Sequence, residues 1–110
     1  MRTLLFAAAF GAALTGGAAA QDIKIGLIHG RTGPLEAYAK QTETGLRMGL
    51  EYATKGTMTI DGKKIVLVVK DDQTKPDVAK TMLQEAYEDD KVALAIGTTA
   101  ENAAQVQSWN

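Results

Sequence analysis

The chain has 110 residues, with 12 basic and 13 acidic side chains interspersed along it and no cysteine. That near-neutral balance offers no electrostatic case for nucleic acid or an anionic membrane surface, and the lack of thiols excludes disulfides, thiolate metal centres and a lipid-modified cysteine. The length suits one small domain built on one hydrophobic core.

Met1 to Ala20 (MRTLLFAAAFGAALTGGAAA) carries a single basic residue, Arg2, then an apolar run from Leu4 to Leu14, a Thr-Gly-Gly break and small residues at Ala18 and Ala20. This is the layout of a secretory signal cleaved between Ala20 and Gln21. The run of about eleven apolar residues falls short of the ~20 that a membrane-spanning helix needs, so the mature product is expected to be soluble and exported.

Ile23 to Ile28 is apolar at nearly every position, as in a central parallel strand covered on both faces. A glycine-rich loop, His29-Gly30-Arg31-Thr32-Gly33-Pro34, leaves it. Leu35 to Lys55 reads as a helix, with Thr42, Leu46, Gly49, Leu50 and Ala53 on one stripe and Lys40, Glu43, Arg47 and Glu51 on the wet side. Gly45 and Gly49 each weaken a helix by about 1 kcal/mol relative to alanine, which points to close approach to the sheet. Gly56 suits the C′ position that ends the helix.

Met58–Ile60 and Lys64–Lys70 flank Asp61-Gly62, a dipeptide made for a tight hairpin turn. Asp71-Asp72-Gln73-Thr74 ends the second long strand. Thr74 is placed to cap the next helix, Pro76 suits its first turn, and Asp77 complements the positive end of its dipole. Val78, Ala79, Met82, Leu83, Ala86 and Tyr87 form its buried stripe. After the polar turn Asp89-Asp90-Lys91, Val92 to Ile96 is a third apolar strand, and Thr98 and Glu101 have capping-box spacing at the start of a last helix. This grammar predicts an α/β fold of three layers, a βαβαβα parallel sheet with its strands in the order 2-1-3.

Such a sheet brings three loops to one edge: His29 to Tyr38, Asp71 to Thr74, and Gly97 to Asn102. Helix N-termini follow each, and their unpaired N–H groups and dipoles favour a carboxylate or other small anion. On that rim His29 could serve as a base or touch a carboxylate, Arg31 could pair with it bidentately, and Tyr38 could stack on a ligand. Equally, His29 could be the polar end of a strand, Arg31 solvated and Tyr38 packed.

Asp71-Asp72 reads as a strand end and turn cap, since the positions a phosphoryl-acceptor site would need hold His29 and Gly97. Gly30 and Gly33 have neither dinucleotide-binding nor Walker spacing, and Ser108 is the only serine. A binding protein is therefore expected rather than an enzyme, with no catalytic residue, cofactor or metal.

Two segments, IKIGLIHGRTGPLEAYAKQTETGLRMGLEYA and DGKKIVLVVKDDQTKPDVAKTMLQEAYEDDKVALAIGTTAENAA, together resemble the N-terminal part of the periplasmic solute-binding proteins of ABC importers, in the branched-chain amino acid class. The resemblance implies that residues 21–110 are part of the first lobe of a type I periplasmic binding fold. It also implies a small-molecule solute as ligand, an ABC permease of the inner membrane as partner, the periplasm as location, and no nucleic acid. Carried over by position, Tyr38 matches the residue after the family's Gly-Pro landmark, and Thr98, Thr99, Ala100 and Glu101 cover the hydroxyl-rich segment that binds the ligand carboxylate. Ala39 stands where a glycine commonly follows, and Ala100-Glu101 where a serine is expected, so an aromatic acid or an amide joins amino acids among the candidate solutes. A sensory ligand-binding domain of the same fold is the alternative reading. The resemblance further implies a fragment, with the third strand left as an edge.

Overall fold

The computed structural model describes residues 21–110, the side chains of Ala100 and Glu101 excepted; the expected signal, with its cleavage point at Ala20, lies outside the described residues. The elements in chain order are β1 (Ile23–His29), α1 (Glu36–Ala53), β2 (Thr59–Ile60), β3 (Lys63–Asp71), α2 (Pro76–Glu88), β4 (Leu94–Gly97) and α3 (Ala100–Trp109).

The strands form one sheet in the order β2-β3-β1-β4. β1 runs parallel to β3, from Ile23 opposite Ile65 to His29 opposite Asp71, and parallel to β4, from Ile25 opposite Leu94 to Ile28 opposite Gly97. The three parallel strands thus stand in the expected 2-1-3 order, and the hairpin adds β2 antiparallel to β3 at one margin. Its turn has Asp61 at φ 51° and Gly62 at φ 76°, the doubly left-handed backbone that matches strand twist and favours Asp-Gly.

Two helices cover one face. Ile28 packs there with Ala79, Leu83 and Ala86 of α2, Val106 of α3, and Val92 and Ala95. Burying a leucine such as Leu83 contributes roughly 1.5–3 kcal/mol of apolar transfer. Successive strand side chains point to opposite faces, so Leu27 and His29 turn away from Ile28. α1 lies on their side, where His29 Nε2 comes within 3.5 Å of Glu43 Oε2.

Several local expectations are corrected. α1 carries a narrower apolar stripe than its periodicity suggests: Ala39 is its buried residue, Thr42, Leu46 and Leu50 are half-buried, and Gly49 and Ala53 are exposed. Nothing lies within 4 Å of the place a Cβ would take on Gly45 or Gly49, so neither marks close approach to the sheet. Both glycines fall on the outer side of α1, along with the exposed Met48 and Tyr52.

The helix ends in a Schellman turn, with the Gly56 N–H donating to the Glu51 carbonyl at 2.7 Å and the Lys55 N–H to Tyr52 at 3.2 Å. Lys55, at φ 54°, therefore takes the C′ position in place of Gly56.

Pro76 and Asp77 open α2 as expected, but Lys75 is the residue before it and Thr74 does not cap. The Thr74 N–H is drawn instead to Asp72 Oδ1 at 2.8 Å, an Asx turn that leaves Thr74 at φ 60°. β4 starts later than its apolar run because Val92 drops into the core and its N–H bonds Ala86; the chain meets β1 only from Ala93, whose N–H reaches the Lys24 carbonyl at 2.8 Å.

Along its outer edge β4 meets no strand among the described residues. There the Asn110 side chain donates to the Ala95 carbonyl at 2.7 Å and accepts the Ala95 N–H at 3.1 Å, and its Oδ1 also accepts the Tyr87 hydroxyl. The rings of Tyr87 and Trp109 stack beside it with centroids 5.2 Å apart.

Candidate functional site

The C-terminal ends of β1 and β4 and the first turns of α1 enclose a cleft of about 270 Å³. Gly30 contributes backbone at the exit of β1, Leu35, Tyr38, Ala39 and Thr42 come from the start of α1, and Thr98 and Thr99 from the turn into α3. Three of the predicted site residues, Tyr38, Thr98 and Thr99, are therefore brought together although some sixty residues separate them in sequence. Tyr38 is 67% exposed, so its ring stands at the mouth rather than in the core.

The described lining is uncharged. One side is apolar (Leu35, Ala39 and the Tyr38 ring), and the other is formed by Thr42, Thr98 and Thr99 beside the N-terminus of α3. A capping box does close that terminus, one residue later than predicted, with Thr99 and Asn102 as its members. Asn102 Oδ1 accepts the Thr99 N–H at 3.2 Å, while the return approach of Thr99 Oγ1 is too loose to satisfy that oxygen, which is buried without a partner. Thr98, exposed at the approach to this helix terminus and next to an apolar wall, suits a small solute with an anionic or amide head and an apolar body. Ala100 and Glu101 form the first positions of α3, and their side chains lie outside the described residues.

The other two candidates do not reach this cleft. His29 is fully buried on the α1 side of the sheet, and neither ring nitrogen has a hydrogen-bond partner. Burial pushes its pKa below 6.5, with Glu43 working against that shift and Arg31 adding to it. Its neighbour Arg31 turns outward to a separate depression with Thr32, Lys40 and Asp71, and its Nε lies 3.4 Å from Glu43 Oε2. Glu43 also holds Arg47 at 3.0 Å, so this carboxylate ties the loop after β1 to α1. Both side chains are drawn toward Glu43 of α1, His29 at 3.5 Å and Arg31 at 3.4 Å, which keeps them off the described lining of the cleft.

Asp71 and Asp72 divide their tasks as strand end and turn cap. Although burial alone would raise it, the pKa of Asp71 is held below 3.8 by the Thr32 hydroxyl and by backbone N–H groups of Gln73, Thr32 and Arg31. The Thr32 hydroxyl bond is 2.7 Å long. Asp72 is fully buried and accepts the Asn102 side-chain amide at 2.7 Å. Asn102, also fully buried, donates in addition to the Ile28 carbonyl at 2.8 Å. The sequence places Asn102 on the Gly97–Asn102 loop without assigning it a role; the signal for one is the capping-box spacing from Thr99. Gly30 is dictated by the same crowding, since a Cβ there would lie 2.5 Å from Thr74 Oγ1.

Residues 22–109 match the family model described as periplasmic binding protein. A search of curated proteins gives no match. Among solved structures, the chain is similar to an ABC-type branched-chain amino acid transporter protein from Rhodopseudomonas palustris, with 65% identity and a TM-score of 0.72 over 74% of this chain and 22% of that one. A solute-binding protein of an ABC transporter from Rhodopseudomonas palustris BisB5, solved with 3,4-dihydroxybenzoic acid, is 34% identical with a TM-score of 0.60, over 67% of this chain and 20% of that one. A leucine-binding protein from Thermotoga maritima shares the fold at 22% identity, with a TM-score of 0.69 over 79% of this chain and 24% of that one. The chain thus spans about a quarter or less of the length of these proteins.

Proposed function

Because the chain belongs to the periplasmic binding protein family, we propose that its cleft is the first-lobe part of a site that captures a small organic solute in the periplasm for an ABC permease of the inner membrane. The solute is an amino acid or an aromatic acid or amide. Its carboxylate or amide head sits against Thr98, Thr99 and the N-terminus of α3, and its apolar body against Tyr38, Leu35 and Ala39. Ala100 and Glu101 adjoin the head. Residues 1–20 act as the export signal and are removed after Ala20. The mechanism is capture by closure of two lobes, with no covalent step.

One observation carries this reading: Tyr38, Thr98 and Thr99 line the same cleft at the C-terminal ends of parallel strands, where open α/β sheets hold small ligands. The 65% identical branched-chain amino acid transporter protein and the 34% identical protein solved with 3,4-dihydroxybenzoic acid support the two solute classes.

The test is a chimera in which residues 22–109 replace the matching segment of the 65% identical Rhodopseudomonas palustris protein. Calorimetry with L-leucine and 3,4-dihydroxybenzoate should give saturable binding of at least one. A chimera that melts cooperatively yet binds neither, nor other small carboxylates, removes the proposal. The 110-residue chain alone is expected to give no measurable heat.

A further inference from the structure

The hydrogen-bonded strand ladders end at His29 opposite Asp71 and at Ile28 opposite Gly97. Beyond those rungs the Asp72 N–H still bonds the His29 carbonyl and Thr32 bonds Asp71, so the segments after β1 and β3 stay tied, while no ladder rung holds the turn into α3 against them. One side chain ties that turn to the end of β1 and to the segment after β3. Asn102 Nδ2 bonds the Ile28 carbonyl at the end of β1 and Asp72 Oδ2 just past β3, while its Oδ1 receives the Thr99 N–H at the entry to α3. Asp72 Oδ1 in turn takes the Thr74 N–H at 2.8 Å. We infer that Asp72 and Asn102 are positioning residues that set the aperture of the cleft, acting on solute recognition through Thr99 without touching the solute.

The energetic argument is that this pair is an expensive way to fill space. A fully enclosed carboxylate held by amide donors is no better for stability than a well-packed apolar pair of the same volume. What a saturated polar network adds is direction: each bond has one length and one angle, whereas apolar contacts tolerate sliding. The sequence around it is constrained accordingly. A Cβ on Gly97 would lie 2.5 Å from Asn102 Oδ1, so that backbone crowds the pair, while one on Gly30 would lie 2.5 Å from Thr74 Oγ1, in the turn that Asp72 caps. The aperture itself follows from the network alone; its bearing on recognition rests on the cleft being the solute site.

The chain has no native cysteine, so spin labels can be placed at will. One pair, Ala37→Cys with Ala103→Cys, spans the cleft from α1 to α3 at exposed positions, and a control pair, Gln84→Cys with Ala103→Cys, spans the directly packed α2 and α3. Asn102→Leu should broaden the electron–electron distance distribution of the first pair by about two-fold or more and leave the control unchanged, because only the first depends on the network. Unchanged width across the cleft, or equal broadening of both pairs, overturns the inference. If Asn102→Leu does not fold, Asp72→Asn replaces it: one acceptor oxygen then serves two donors, the cleft distribution should still widen, and an unaltered one is equally fatal. No solute is needed, so a chimera that binds nothing would sink the proposed function and leave this measurement standing.

Discussion

Gly97 and Asn102 share a space that holds only one of their side chains: a Cβ on Gly97 would meet Asn102 Oδ1 at 2.5 Å and Val106 Cγ2 at 2.7 Å. Asn102 cannot retreat without giving up its bonds to Ile28 and Asp72. Gly97→Ala is therefore expected to destabilise the chain by about 1–3 kcal/mol, the usual cost of overpacking, read as a lower urea midpoint. A midpoint equal to that of the unsubstituted chain would mean that Asn102 is not pinned.

His29 supplies the pH prediction. Burial lowers its pKa from 6.5, so between the native value and 6.5 the unfolded chain holds a proton that the native chain does not. Stability contributed by His29 is thus full above that window and falls as the pH drops through it. His29→Gln should flatten the melting temperature over this range. A slope that survives the substitution would place the titrating group elsewhere.

Tyr38 separates folding from recognition. At 67% exposure it supports little packing, and Tyr38→Ala should leave stability within about 0.5 kcal/mol. In the chimera the same change should weaken solute binding by roughly 1–3 kcal/mol, as for an aromatic contact residue. An unaltered affinity would make the ring a bystander at the cleft mouth.

Leu83 and Tyr52 form a contrasting pair, fully buried in α2 and 89% exposed in α1. Leu83→Ala should cost about 2–5 kcal/mol from lost transfer and the cavity left behind, enough to unfold most copies of so small a domain. Tyr52→Ala should be close to neutral. Similar losses for both would contradict the placing of Tyr52 on the outer side of α1.

Periodicity and turn chemistry made the architecture readable from the residues. The apolar runs at Ile23–Ile28, Ile65–Val69 and Val92–Ile96, the Asp61-Gly62 turn and the stripe of Ala79, Leu83 and Ala86 all mark elements that form. The convergence of Tyr38 with Thr98 and Thr99 follows from strand order, so it too was legible. What escaped depends on contacts far apart in the chain. Asn102 matters through Ile28 and Asp72, His29 is buried beside Glu43 of α1, and Thr74 loses its capping role to an Asx turn built by Asp72. The glycines of α1 misled because helical spacing says which residues share a face but not whether anything lies opposite it.

The amide of Asn110 offers Ala95 the same donor and acceptor that a peptide unit would. It is in effect a one-rung imitation of a neighbouring strand, clasped in place by the Tyr87 hydroxyl. Any polypeptide laid along that margin must first evict the imitation, trading like for like at Ala95 and gaining only at the rungs beyond it. Lateral growth of the sheet is thereby gated by a single rotatable side chain.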